Sequence, residues 1–579
     1  MTDDNRAILT DLAGVEAFLR HDAVTRMSPG SAPDRALQLE ALDKVRAFLS
    51  AGATSPPSPD AYQNLKERFA ILDHLRGISE IMLKDDQVVP AADPDALSSQ
   101  AQTLAALGHK LMTAPEVGQW LDAAEKTAAA MWPEDRRNLT LMRANWVELN
   151  AVSAEMAAEL ARIAAEGEKL HTKNRPLGDW AAMKDWYAHS FETRKAYGEA
   201  KMAALPGKFS GPYEALLDSF SPGMKDATIA REFARLEQAL PALVRETRAK
   251  QDAAPQPVEI QGPFSKQQID DLCRRLITSE GFDFSRGRFD VCPAHPSMEG
   301  AADDVRITAK DEDNIIQTIY AIIHEAGHAL YEQRRPLEWR HQPIGSHLGM
   351  GFHESQSRVM EVQAAHTPEF FQFLEKTMRE TLNRPTDPAL DAANLERLVN
   401  RVEPTFIRIE ADEMTYPAHV ILRYRIEKAM VEGKMTIDEL PKAWNDGMQK
   451  MLGITPPDPS QGHMQDVHWP VGLVGYFPAY TIGDMLASQF FAAAVKAHPE
   501  IPEQLGQGNF DTLNEWLDEN VRKKAASLTP EELIRQATGE DLNADYYLNH
   551  LSERYLGKPW TPPGEQPAAP AISPNLAPA

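Results

Sequence analysis

Apolar residues recur three and four positions apart over long stretches of the chain. AYQNLKERFAILDHLRGISEIML from Ala61, NWVELNAVSAEMAAELARIAAEGEKL from Asn145 and TIAREFARLEQALPALVRETRAKQ from Thr228 all carry this period, with charged residues between. That spacing puts the apolar residues on one helix face, and the abundant Ala, Glu, Leu and Arg favour helix. No long β-rich block is found, so a mostly α fold is predicted.

The pattern changes over residues 289–314, FDVCPAHPSMEGAADDVRITAKDEDN, where Pro and Gly break the helical period. Within it DVRIT alternates Val305 and Ile307 with polar residues, a short-strand signal. KDEDN then offers Asp and Asn as helix N-caps just before Ile315. A short strand, a turn and a helix are expected in that order. GATSPPSPD at 52–60 is a Pro/Ser punctuator that sets off a helical N-terminal extension, residues 1–60, from a catalytic domain over 61–560. The Pro/Ala-rich residues 561–579 are expected to be disordered.

Composition narrows the classes of function. The chain has 579 residues, 43% hydrophobic and 25% charged, ordinary for a soluble globular protein. Its 60 Lys plus Arg against 85 Asp plus Glu give a net charge of −25, which disfavours nucleic acid or an anionic membrane as partner. Two cysteines, Cys273 and Cys292, argue against a disulfide framework and a Cys-rich zinc site. The start, MTDDNRAILTDLAGVEAF, lacks the basic-then-apolar order of a secretory signal, and no apolar run approaches a membrane span, so a cytoplasmic location is expected.

The helix after DVRIT carries the candidate chemistry. Ile315, Ile316, Ile319, Ile322, Ile323, Ala326 and Leu330 make its apolar face, and AIIHEAGHALYEQ places His324 and His328 four apart on one side. That spacing suits two imidazoles on one zinc ion. Glu325 is rotated roughly 100° from the first ligand, so it can take a proton from the attacking water without being a ligand. The plainer reading, a core helix that happens to hold two histidines, requires burying two polar rings without partners. A zinc site needs a third ligand. Tyr331 and Arg334 exclude one known extension of the motif. GFHESQSRVMEVQAA at 351–365 offers Glu354 on a helical run, with His341, His347 and His353 as rivals.

In order along the chain, HPS, DVRIT, HEAGHALYE, HESQSR, IRIEAD, MQDVHW and YFPAYTIG resemble the motif set of the carboxypeptidase Taq family of zinc metallocarboxypeptidases, from about residue 62 to about 556. The resemblance implies a large, elongated helical zincin-like peptidase, with a deep substrate groove and a small β-sheet next to the H-E-x-x-H helix. It also implies a homodimer that removes C-terminal residues from peptides with broad preference and poor handling of proline. It assigns His324, His328 and Glu354 to zinc, with cobalt or manganese as substitutes, and Glu325 to general base and acid.

Arg408 in IRIEAD resembles the arginine that holds the substrate's terminal carboxylate, a task that suits a bidentate guanidinium. The competing reading is a helical salt bridge to Asp412, and Arg306, Arg358 and Arg401 are rivals. His468 and Tyr480, or Tyr476, resemble donors to the oxyanion. His295, Asp304, Arg306 and Thr308 resemble groove-side positions, where a strand edge could hold peptide backbone. Asp466, Asp412 and Glu361 are candidate partners for the ligand histidines.

The chain departs from the family pattern in three places. H-P-F reads His295-Pro296-Ser297, T-T-R-Y reads Thr308-Ala309-Lys310-Asp311, and the W-D turn segment reads MLKDDQVVPAADPD. Two alternatives to a carboxypeptidase remain open at this point. One is a zinc oligopeptidase that cuts internal bonds, and the other is a catalytically idle helical metal-binding protein.

Overall fold

The computed structural model describes residues 60–88, 94–293, 295–301, 304–310 and 314–561, with a few isolated positions before residue 46. Helices dominate, and one small sheet interrupts them. Those that frame the site are α1 (Ala61–Val88), α2 (Lys266–Ser279), α3 (Ile315–Arg334), α4 (Met350–Arg358), α5 (Tyr416–Val431) and α6 (Pro478–Ala497). The helical stretch from Asn145 is two helices, because Ser153 caps a new one by accepting from Met156 N at 3.3 Å. The stretch from Thr228 is one helix over Asp226–Asp252 that accommodates Pro241 in its interior.

The sheet has strands β1 (Gly287–Cys292), β2 (Ser297–Ala301) and β3 (Asp304–Lys310) in the order β1-β3-β2. β1 runs parallel to β3 and β2 antiparallel, so Phe289 and Met298 both register with Ile307. The strand in DVRIT is thus the buried middle strand. The residue period identified neither β1 nor β2, both too short to alternate for long.

The last turn of α1 fastens the sheet. Lys84 Nζ donates to Ser297 O at 2.8 Å, to Ser297 Oγ, and to Thr308 Oγ1 at 3.1 Å. Asp85 takes Arg306 of β3 and Arg288 of β1. Two adjacent residues of opposite charge therefore tie all three strands to α1.

α3 follows β3 with Asn314 as its N-cap, accepting from Ile316 N at 3.1 Å and Gln317 N at 3.3 Å. Its Ile315, Ile319, Ile322, Ile323, Ala326 and Leu330 enter the main core. The expected extension over 1–60 and tail over 561–579 lie almost wholly outside the described residues. Of the extension, Leu12, Val15, Leu42 and Val45 are buried in a cluster with Leu75, Ile78 and Leu107. Among the described residues no helix is long and apolar enough to cross a membrane, and Cys273 and Cys292 are both buried and free.

Candidate active site

α4 lies between α3 and α6, and two glycines let it approach both. A Cβ at Gly327 of α3 would lie 2.5 Å from Ser357 Cα, and one at Gly483 of α6 would lie 2.6 Å from both Cβ and Cγ of Glu354. Real side chains do not tolerate such distances. The close approach brings Glu354 to the face of α3 that carries His324 and His328.

His324, His328 and Glu354 each point one ligand atom to a common place, with all three atoms within 4.8 Å of one another. The two Nε2 atoms are 3.2 Å apart. Two nitrogen–metal bonds of about 2.0–2.1 Å at a tetrahedral angle require roughly 3.3 Å. Glu354 oxygens stand 3.8 Å from His324 Nε2 and 3.7 Å from His328 Nε2. No other group of three such side chains gathers among the described residues.

The electrostatics suit a cation. Burial alone would lower His324, but the carboxylates of Glu354 and Glu361 outweigh it and lift the imidazole to about 9. His328 is held well below its ordinary value by burial, with His353 and His324 adding to the effect, so this ring is neutral at neutral pH. Burial pushes the Glu325 carboxyl up to about 7, against the pull of His324 and Lys84. A carboxyl near 7 is suited to moving a proton in either direction at neutral pH.

The His324 ring is supported by a chain of charged groups. His324 Nδ1 lies 2.8 Å from Glu361 Oε2, which also accepts from Arg358 Nη1 at 2.7 Å, and Arg358 Nε reaches Asp484 at 2.6 Å. Glu361 sits in a π-helical stretch, Val359–Ala364, that continues α4. Such wider turns are frequent at functional sites. Of the three candidate partners, Glu361 is therefore the one beside His324. Asp412 instead caps a turn, accepting from Glu403 N, Met414 N and Thr415 N.

Arg408 stands on a 3₁₀ turn, Arg408–Glu410, not on a helix, so the expected alternative of a pair with Asp412 does not form. Its Nε and Nη2 each lie 3.0 Å from Asp466 Oδ1, while Asp466 Oδ2 accepts from Arg423 Nε at 2.7 Å. Its Nη1 donates to the Tyr416 hydroxyl at 2.8 Å. The guanidinium carbon is 5.8 Å from the Tyr416 ring, 5.4 Å from Phe477 and 5.0 Å from Tyr480. Tyr416 also lies 5.9 Å from Arg358, so one aromatic ring joins the arginine beside Glu361 to the arginine of IRIEAD.

A family model described as carboxypeptidase Taq (M32) metallopeptidase matches residues 64–555. The chain belongs to that family. Thermostable carboxypeptidase 1 of Thermus thermophilus is 32% identical over 511 residues, covering 86% of this chain and 98% of the relative. Among solved structures, Trypanosoma cruzi metallocarboxypeptidase 1 superposes with a TM-score of 0.83 at 32% identity, over 86% of this chain and 100% of that one. The M32 carboxypeptidase of Deinococcus radiodurans gives 0.80 at 31% identity, over 86% and 98%. The mostly α fold with its three-stranded sheet is theirs, and the protein is a metallocarboxypeptidase whose family acts on peptides.

The remaining candidates of this M32 carboxypeptidase fall into two groups. Tyr480 and His468 stand together, hydroxyl to Nε2 at 3.4 Å, with the Tyr476 ring 5.4 Å from Tyr480. Burial raises both tyrosine hydroxyls, and the charge of Glu354 adds to the effect. Burial pushes His468 down to about 3, which makes it a neutral ring at neutral pH.

The other group lies in and beside the sheet. Arg306 is 1% exposed and engaged by Asp304 and Asp85. Two carboxylates hold this guanidinium, so it braces the sheet. His295 is exposed, its Nδ1 2.6 Å from Pro296 O, and it takes no part in the donor cluster. Ser297, in place of the family Phe, meets Lys84 of the divergent MLKDD segment. Two departures from the family pattern thus contact each other, and burial holds that Lys84 below the ordinary lysine range.

Sequence reasoning missed Arg423, Tyr416 and Gly483. They act through partners far along the chain, and no local spacing announces them. His353, read as a rival ligand, lies instead against His328.

Proposed function

We propose that this chain is a zinc-dependent carboxypeptidase that releases C-terminal residues from peptides with broad preference and poor activity on C-terminal proline, with cobalt or manganese able to substitute. The observation that carries the reading is the link between a three-donor cluster and Arg408 through Tyr416, in a chain whose family removes C-terminal residues. The donor set His324, His328 and Glu354 fits zinc, which binds imidazole and carboxylate and leaves a position open when only three protein ligands are present. A bound divalent metal would supply a Lewis acid that activates water and polarises the scissile carbonyl.

The chain's own residues would supply the rest. Glu325 takes a proton from the attacking water and returns it to the leaving amine. Arg408 and Arg423 share the single Asp466 carboxylate, so the terminal carboxylate of a peptide completes the charge of that group. Binding the terminus there orients the last peptide bond and gives exopeptidase selectivity. Tyr480 or Tyr476, with neutral His468, donates to the oxygen that gains charge in the transition state. The assembly we expect is a cytoplasmic homodimer.

One peptide with a free and an amidated C-terminus tests the reading, together with chelation and metal restoration. Activity should vanish on chelation, return with zinc, and be at least about 100-fold lower on the amidated peptide, since charge-assisted hydrogen bonds of this kind contribute about 1.5–3 kcal/mol each. Equal cleavage of both peptides would identify an endopeptidase instead.

A further inference from the structure

A ligand histidine offers a metal one bare ring nitrogen, so its other nitrogen must carry the proton and needs an acceptor. His324 has a direct one. Its Nδ1 faces Glu361, and a carboxylate can only accept. His328 is different. Its Nδ1 faces the Nδ1 of another imidazole, His353, at 2.6 Å. Between two ring nitrogens one must donate and one accept, and geometry at that contact alone does not say which.

The next contact decides it. His353 Nε2 is 3.0 Å from Glu332 Oε1, and the other oxygen of Glu332 is taken by Arg335. Glu332 is held well below the usual carboxylate range, burial being opposed by Arg335 and His353, so it accepts. His353 therefore carries its proton on Nε2 and turns a lone pair on Nδ1 toward His328. His328 must then donate from Nδ1, which leaves its Nε2 bare, facing His324 Nε2 and Glu354.

We propose that His353 is a positioning residue that holds His328 in its metal-ligating tautomer, and that Glu332, anchored by Arg335, sets His353 in turn. This rests on the reading of His324, His328 and Glu354 as the metal donors. The simpler role for His353 is packing, since its ring lies 5.4 Å from Tyr331 and 4.9 Å from His347. The two roles separate by substitution. His353→Phe keeps a ring and removes the acceptor, whereas His353→Asn removes the ring and restores an acceptor near the position of Nδ1.

The test is the zinc dissociation constant of the full-length protein, measured by competition with a chelating dye, with the melting of each metal-free variant as the control for folding. His353→Phe should bind zinc about 10–100-fold more weakly than wild type. His353→Asn should stay within about threefold of wild type, and Glu332→Gln should lose about tenfold, because an amide can present a donor to His353 and reverse the whole chain of protons. Zinc binding by His353→Phe at wild-type strength, or by His353→Asn no tighter than by His353→Phe, overturns the proposal and leaves packing. Should His353→Phe fail to fold, Glu332→Gln decides: a tenfold loss supports the relay and an unchanged constant overturns it. Wild-type protein that binds no zinc removes the donor site itself, a different failure from a site that binds zinc indifferently to residue 353.

Discussion

The two ends of the site are built on opposite plans. The proposed metal end stands on regular helices: two histidines four apart on α3, Glu354 on α4, and further carboxylates around them. The clamp end stands on a three-residue 3₁₀ turn and on the irregular segment that carries Gln465, Asp466 and His468, with two arginines around one carboxylate. One end collects negative charge. The other collects positive charge. Regular structure suits the first, since fixed helical spacing sets ligand geometry within tenths of an ångström. The second needs a guanidinium delivered from one loop and held by another, and long-range pairs do that.

Removing the proton carrier from the metal end should have the largest effect. Glu325→Gln keeps the size of the side chain and leaves the three donors in place. Turnover should fall about 10²–10⁴-fold, the usual worth of general acid–base catalysis, with zinc content unchanged. A variant with full turnover and full zinc would mean that the proton moves elsewhere.

The clamp end is tested through the substrate. Arg408→Gln should lower kcat/KM about 100-fold on a free-carboxylate peptide, and much less on its amide, where the clamp has nothing to grip. The ratio between the two peptides is the measurement. If both fall equally, Arg408 supports the fold of this end and does not read the terminus.

How much of this the sequence discloses follows from the same contrast. H-E-x-x-H is a local pattern, so His324, Glu325 and His328 are visible from helix spacing alone. Glu354 needs a second helix to arrive, which Gly327 and Gly483 permit, and only a family resemblance singles it out from three histidines nearby. Arg408 is visible through resemblance as well. Its partners are not, because Tyr416, Asp466 and Arg423 meet it by tertiary packing and no spacing rule connects them. Arg306 shows the reverse case. It lies in a family motif beside the site, yet Asp85, far away on α1, claims its charge.

The scaffold of the clamp end can be probed by pH. Glu427 of α5 accepts from Trp469 Nε1 at 2.8 Å, Tyr213 hydroxyl at 2.9 Å and Gly475 N at 3.1 Å, holding the segment that carries His468. Burial nonetheless lifts its carboxyl from 4.5 to about 7. Below 4.5 both folded and unfolded chains keep this proton. Between 4.5 and 7 the unfolded chain releases it while the folded chain retains it, so stability falls as pH rises, by up to about 3 kcal/mol at about 1.4 per unit. Above 7 both forms are ionised and the dependence ends. Denaturant titrations of wild type and Glu427→Gln from pH 4.5 to 8 should diverge in slope below 7 and run parallel above it. Parallel curves throughout would mean that the three donors keep Glu427 ionised.

The smallest effect should come from the metal end, at the one point where it too depends on a distant element. Alanine favours helix over glycine by up to about 1 kcal/mol, so Gly483→Ala should stabilise α6 if propensity decides. Yet the added carbon would lie 2.6 Å from two atoms of Glu354. Overpacking of this kind costs about 1–3 kcal/mol, so the net change should be a loss of about 1–2 kcal/mol. The strain acts on a metal donor, so zinc affinity should fall with stability. The helices on either side are packed, so α4 can yield only by shifting Glu354 relative to His324 and His328. A Gly483→Ala protein that melts higher and binds zinc as wild type does would show that α4 can shift without disturbing the donors. The metal end would then owe its geometry to α3 alone, and the contrast between the two ends would be sharper than the packing around Glu354 implies.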